Sequence, residues 1–416
     1  HLGRQKPYMT RHAFCFKQCN TSPVFLLAAA YFVSYVTRNS LSVAMAAIID
    51  RAEVSQSVLS LAVTGSLIAY GAGQIISGVF GDRIQPRLLV FSGLCVSSII
   101  NFTVLFCMQS PGILTAMWCA NGLAQAFMWP PIVRIMVSTL SSKKYKRATV
   151  AVTWGGSFGN IALYLTAPLL ITLCSWQSVF VFSGICGVIM AAIWIIRCPD
   201  VPDFPSIDQN SEESTYTVKN AFLMPVIWLI MAAIIVQGAL RDGVTAWTPV
   251  FISETCNLKD TSSILTGTAL PIFSIISIRL ASLLYEKVLK NPLTCSLLMF
   301  LLSGVCAFVL YVISPLKTAF ASAAMCTLVT GCMHGINLIL IGMVPAHFKK
   351  YGHISLISGT LNACTYIGSG ISTWGFSAIA EKSGWGATAG MWTVLSIIGA
   401  VICAVCVPLW HSFAKK

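Results

Sequence analysis

The chain has 416 residues, of which 56% are hydrophobic and 9% charged, with a formal net charge of +13 and a mean hydropathy of +0.80. Soluble domains are about 45–50% apolar and about 25% charged, so an ordinary soluble core is excluded. Apolar stretches of bilayer length recur along the whole chain, which identifies a polytopic membrane protein. The sixteen cysteines sit mostly alone inside apolar runs and behave there as small hydrophobes. Cys403 and Cys406 form a CxxC with no second pair, so neither a metal centre nor a cofactor is expected. Cys15 and Cys19 lie in a basic tail. The first residue is His, and Met9 is a candidate start; no cleavable leader is read in the first apolar run.

Taken in order, the hydrophobic pattern predicts twelve spans. They run over about 23–49, 58–80, 87–108, 112–138, 147–172 and 177–197, then 222–253, 262–289, 293–313, 317–344, 352–380 and 386–410. The expected fold class is therefore all-α, with twelve transmembrane helices in two pseudo-symmetric six-helix bundles. A tail (1–22) precedes an N-terminal bundle (23–197). A Pro-, Ser- and acid-containing linker (198–221) leads to a C-terminal bundle (222–410) and a short tail (411–416).

Charge placement fixes the expected orientation. With the N-terminus in the cytoplasm, only Arg51, Lys259, Lys317 and Lys382 of the 26 Lys and Arg fall in outer loops, and four lie within spans. That is the positive-inside pattern, with both termini and the linker cytoplasmic. The cluster Lys143, Lys144, Lys146 and Arg147 reads as a topology anchor, and no nucleic-acid partner is expected. The expected setting is the bacterial cytoplasmic membrane, as a monomer.

The halves repeat. "GVFGDRIQPR" follows the second span and "LLYEKVLKNP" the eighth, with Asp82 and Glu286 separated by 204 positions and Arg38 and Arg241 by 203. Duplicated halves are the way transporters build a site near the bilayer midplane. Arg38, Arg134, Arg241 and Arg279 sit at membrane depth, against one acid, Asp242. An arginine at a span centre costs about 2.5–3.5 kcal/mol on insertion scales. Arg134 lies toward the cytoplasmic end and reads as snorkelling. Arg38 and Arg241 are too central for that, and the excess of positive charge implies an anionic ligand.

Helical spacing places polar residues on single faces. Tyr31, Tyr35, Arg38 and Ser42 share one. So do Gln237, Arg241, Thr245 and Thr248, and likewise Ser66, Tyr70, Gln74 and Ser77. Thr153, Ser157, Asn160 and Tyr164 form another, as do Thr327, Thr330, His334 and Asn337. Ser358, Asn362, Thr365, Tyr366 and Ser369 line the eleventh span. Hydrogen bonding between helices explains any one of these; six such faces around two arginines predict a water-accessible cavity. "GGSFG" (155–159) matches a nucleophile elbow but lies inside an apolar span, where Gly155 and Gly159 read as helix-packing residues. No nucleotide-binding glycine motif occurs, so neither an enzyme nor an ATP-driven pump is expected.

"GVFGDRIQPR" resembles the loop signature of the major facilitator superfamily, with Gln85 where glycine is usual. "YFVSYVTRNSLSVAM", "IAYGAGQIISGVFGDR", "NGLAQAFMWPPIVRIM", "LRDGVTAWTPVF" and "GTLNACTYIGSG" resemble its organophosphate:phosphate antiporters. The resemblance implies that Arg38 and Arg241 hold a substrate phosphate and that Tyr31, Tyr35 and Tyr366 line the site. His334 stands where the glycerol-3-phosphate branch has tyrosine. Gln74 replaces that branch's second-span lysine and Ser157 its fifth-span histidine. Arg279, nearly equivalent to Gln74 in the duplicated frame, is the expected replacement cation, with Asn337 and Asn362 as further polar contacts. Asp242 is the expected counter-ion or proton carrier, and the Asp82, Arg83 and Arg87 loop is expected to control conformation. The implied activity is exchange of a sugar phosphate or glycerol phosphate for inorganic phosphate. A proton-coupled organic anion symporter and a non-transporting sensor are the alternatives.

Overall fold

The computed structural model describes residues 23–52, 54–201, 218–256, 260–316 and 318–415. The basic N-terminal tail and most of the linker therefore lie outside the described residues. Every regular element among those described is helical. They are α1 (Pro23–Ala52), α2 (Gln56–Arg83), α3 (Pro86–Thr103), α4 (Pro111–Ala126), α5 (Trp129–Thr139), α6 (Ser142–Leu173) and α7 (Gln177–Arg197). Then follow α8 (Val218–Phe222), α9 (Pro225–Cys256), α10 (Asp260–Leu283), α11 (Pro292–Ile313), α12 (Ala319–Asn337) and α13 (Ile354–Lys415).

Nine described helices are long and apolar enough to cross a membrane. That count differs from the twelve predicted spans at the fourth, at the eighth and in the last two. The fourth span is broken into α4 and α5 at Phe127–Met128, because Pro130 and Pro131 remove two amide donors and prolines belong in a helix's first turn. α13 contains two spans separated by Gly384, whose φ of 80° ends the first of them in a conformation that glycine adopts without a Cβ clash. The eighth span is α10 extended by a π-helical stretch, Leu284–Leu289. The tenth also departs from a plain helix: α12 continues through a π turn, Leu338–Met343, into a 3-10 segment, Val344–Tyr351. The fifth span begins earlier than the sequence pattern suggests, so Lys143–Arg147 form the first turns of α6.

The chain divides into two compact units. One holds the described residues up to Ser66 together with 80–201; the other holds Leu67–Val79 and the described residues from Val218 onward. The middle of α2 thus groups with the second unit. Glycines explain how closely it packs there: a Cβ on Gly359 would lie 2.2 Å from the Gln74 carbonyl oxygen, and one on Gly71 2.8 Å from Tyr366 Cβ.

Within the first unit α1 packs chiefly on α6 and α7, and α3 on α7. Gly155 and Gly159 face the α1 backbone, where added Cβ atoms would fall 2.4 Å and 2.3 Å from the Ala28 and Phe32 carbonyl oxygens. The helix-packing reading of "GGSFG" is therefore correct. Within the second unit α9 packs chiefly on α13, α11 on α13 and α10 on α12. Gly238 and Gly368 bring α9 and α13 into the same kind of backbone contact, against Thr365 and Ile235 respectively. The first and fifth spans of one unit and the first and fifth of the other thus pair in the same way, which is the structural form of the sequence repeat.

Candidate functional site

In the first unit the site residues climb one face of α1. Tyr31 and Tyr35 pack edge to face with ring centroids 5.3 Å apart, and Tyr31 also meets Trp129 at 5.4 Å. The break between α4 and α5 is what brings Trp129 to the start of a helix at this place. The Arg38 guanidinium lies 5.7 Å from the Tyr35 ring centre, within cation–π range. Gly156 leaves room for the two tyrosines, since a Cβ there would come within 3.1 Å of both rings. Asn39 donates to Asn160 Oδ1 at 2.9 Å and ties α1 to α6. Ser157 is half-buried on that same helix.

Behind Arg38 lies a polar cluster that the sequence reading did not single out. Gln125 Nε2 donates to Thr37 Oγ1 at 2.8 Å and to Ser97 Oγ at 2.7 Å. Ser97 Oγ donates to Asn121 Oδ1 at 2.6 Å, and Ser40 Oγ to Asn101 Oδ1 at 2.7 Å. Asn101 and Asn121 both donate to the Thr37 carbonyl oxygen, at 2.9 and 3.4 Å. All these side chains are buried. Removing one partner strands the others away from water, so the cluster fixes α1 at the residue that precedes Arg38. The available signal was an amide on each of two neighbouring spans, Asn101 on the third and Asn121 on the fourth, each within an apolar run.

In the second unit Arg241 is engaged by its neighbour. Its Nε donates to Asp242 Oδ1 at 2.6 Å and its Nη2 to Asp242 Oδ2 at 2.8 Å. This fork-to-carboxylate geometry is the one a phosphate would also use. The Ser369 hydroxyl reaches the same carboxylate, and His334 lies within electrostatic range of Arg241 and Asp242. Asp242, His334 and Ser369 thus gather around Arg241 from three spans. Asn337 is half-buried one turn further along the chain from His334.

Gln74 is fully buried, and its Oε1 accepts from Asn362 Nδ2 at 2.9 Å. Tyr70 and Tyr366 meet one turn away from this pair, at 4.7 Å between ring centres. Tyr366 therefore neighbours the Gln74–Asn362 pair. Arg279 is exposed on α10, among exposed Ile272, Ile276 and Leu280, and is not joined to Gln74. Several hydroxyls on the predicted polar faces bond back to their own helix. Thr245 and Thr248 donate to the Arg241 and Val244 carbonyls, and Thr330 to that of Cys326. Such bonds satisfy a hydroxyl without any cavity, so the amides and charged groups carry more information than the threonines.

The loop after α2 is strapped to the end of α7. Arg87 pairs with Asp200 at 3.0 Å and donates to the Ile195 carbonyl, while Trp194 Nε1 donates back to the Arg87 carbonyl at 2.9 Å. Gln85, the departure from the usual glycine, accepts from the Val201 amide at 3.1 Å. Arg134 is 2% exposed and donates to the Gly81 and Ile84 carbonyls. The snorkelling expectation for it is corrected, because the guanidinium binds the turn between α2 and α3 rather than reaching solvent. Asp82 is half-buried and Arg83 exposed at that turn. Next to the strap, burial pushes the Cys198 thiol up to about 12, opposed by the Arg87 guanidinium and assisted by Asp200.

The major facilitator superfamily profile matches residues 27–373. The chain belongs to the major facilitator superfamily. It is 22% identical to a probable hexose phosphate transport protein of Chlamydia muridarum, over 92% of this chain and 89% of that one. It is 28% identical to the glycerol-3-phosphate transporter of Bacillus subtilis over 48% of this chain and 50% of that one. Similarity to the membrane sensor protein UhpC of Salmonella typhimurium is 22%, over 93% and 90% of the two chains. These relatives match the organophosphate:phosphate antiporter group that the sequence resembles. Among solved structures, the Escherichia coli fucose:proton symporter FucP superimposes with a TM-score of 0.73 at 11% identity, covering 92% of this chain and 98% of that one, and shares the fold. The chain is thus an integral, multi-pass membrane protein of a transporter family.

Proposed function

We propose that this protein carries a sugar phosphate or glycerol phosphate across the membrane in exchange for inorganic phosphate, by alternating access of its two six-helix bundles (23–197 and 222–410). The observation that carries the reading is the Arg241–Asp242 fork. A planar guanidinium in a bidentate pair at membrane depth is prepared for a tetrahedral oxyanion, which takes the place of Asp242. Arg38, at the equivalent position of the other repeat, serves the same phosphoryl group, with Tyr31, Tyr35 and Tyr366 contacting the organic part. His334, Asn337, Asn362, Gln74 and Ser157 complete the polar set, and Arg279 adds positive potential. Exchange of one phosphate compound for another needs no nucleotide and no cofactor. The positive-inside asymmetry supports cytoplasmic termini in a bacterial cytoplasmic membrane; the unit of function is a monomer.

The test is counterflow in proteoliposomes. Vesicles loaded with inorganic phosphate should accumulate labelled phosphate, and external hexose phosphates or glycerol-3-phosphate should compete. Absence of counterflow with any of these substrates would exclude exchange. A second reading is favoured by the near full-length similarity to a sensor protein: saturable binding of a sugar phosphate with no flux would assign the chain to signalling.

A further inference from the structure

The second unit carries an apolar groove away from Arg241, with a volume of about 500 Å³ between α10, α11 and α12. That is the size of a small-molecule site. Leu280, Leu298, Leu302 and Leu328 on its walls are between 44% and 60% exposed, which for residues within membrane spans means exposure to acyl chains. Its floor depends on one glycine: a Cβ on Gly331 would lie 2.4 Å from Ser277 Oγ. At the end where α10 widens into its π turn, the groove is bordered by Lys287. Lys287 is exposed and forms no ion pair with any described residue. The acid beside it in sequence, Glu286, accepts from Ser282 Oγ at 3.0 Å.

An apolar channel of this size, open along a membrane-facing surface and ending at an ammonium with no ion-pair partner among the described residues, has the complementarity of one ligand class. We propose that it holds an anionic phospholipid, with an acyl chain along the leucines and the headgroup phosphate on Lys287. Basic pockets between transmembrane helices bind such headgroups for this reason. A neutral zwitterionic lipid brings its own cation to the phosphate and gains less from Lys287. Leu284, Lys287 and Val288 stand together at the mouth.

The experiment is native mass spectrometry of the full chain, purified in detergent and offered equimolar phosphatidylglycerol and phosphatidylcholine. One phosphatidylglycerol should be retained in preference to phosphatidylcholine. Lys287→Gln should reduce that preference about fivefold, the effect of one cation at a membrane surface, and Lys287→Arg should keep it. Lys290→Gln, which removes a nearby cation outside the groove, should leave it unchanged. Leu302→Trp, which fills the groove and leaves the charge, should lose the lipid; Leu302→Phe repeats the measurement if the tryptophan variant does not fold. Excess inorganic phosphate at constant ionic strength should not displace the lipid. Equal retention of the two lipids, wild-type retention by Lys287→Gln, or displacement by free phosphate overturns the proposal. None of these readouts depends on transport, so failure here is distinct from failure of the exchange reading.

Discussion

The two arginine helices solve the same electrostatic problem in different ways. α1 sets Arg38 beside the Tyr35 ring, the preceding residue is braced by buried amides, and α9 gives Arg241 a carboxylate one residue away. The Arg38 guanidinium lies against a ring face, whereas the hydrogen-bonding edge of Arg241 is occupied by a forked ion pair. Under the proposed exchange, an anion reaches Arg241 by competing with Asp242. A repeated fold does not require a repeated charge arrangement.

The largest test of this contrast is removal of each arginine. Arg38→Ala and Arg241→Ala should each reduce phosphate counterflow by roughly 30-fold or more, the usual cost of removing one member of a buried charge pair. Lysine at either position should restore only part of the rate, since the ammonium lacks the planar fork. Transport at the wild-type rate by Arg38→Ala would remove that residue from the site. Next in size is the amide cluster. Gln125→Ala removes two buried hydrogen bonds, to Thr37 and Ser97, and should cost about 1–3 kcal/mol of stability, read as a lowered melting temperature in detergent. No such drop should follow Thr245→Ala, whose hydroxyl serves only its own helix.

Asp242→Asn should keep exchange and its pH dependence while strengthening phosphate binding a few-fold, because the competitor for Arg241 loses its charge. Loss of pH dependence with exchange retained would instead make Asp242 the proton carrier. Smaller again, Arg279→Gln should weaken binding no more than a few-fold and in a salt-dependent manner, as expected of an exposed charge. The smallest effect is at the strap. At pH 8 the Cys198 thiol is protonated and should react slowly with maleimide in a variant carrying no other cysteine. Asp200→Asn removes both the ion pair and a contribution that raises the thiol, so labelling should quicken.

The fold was legible because bilayer length and the spacing of the repeat are one-dimensional quantities. Arg38 and Arg241 stand out in the sequence for a related reason, since a charge in an apolar run has few explanations. The rest was hidden by what spacing does not record. Thr245 and Asn101 both look like polar residues in a span, yet one bonds its own helix and the other ties two helices together. Arg134 reads as a residue near a span end, and only the turn at Gly81–Ile84 shows what it holds. The Gln74–Asn362 pair joins positions 288 residues apart, which no local pattern announces.

The glycine contacts of α1 with α6, and of α9 with α13, bear on how this machine moves. Where two backbones touch with no side chains between them, neither helix slides along the other without carbonyl oxygens colliding. Each arginine helix and its glycine partner therefore travel as a single girder. Any stroke that carries Arg38 carries Tyr31, Gly156 and Asn160 with it, and the same holds for Arg241 with Tyr366. Compliance is left to the places where the helices are interrupted: Phe127–Met128, the two π turns and Gly384. A saturation mutagenesis screen should show this division directly, with the glycines intolerant of a single added methyl and the interruptions tolerant of size but sensitive to straightening.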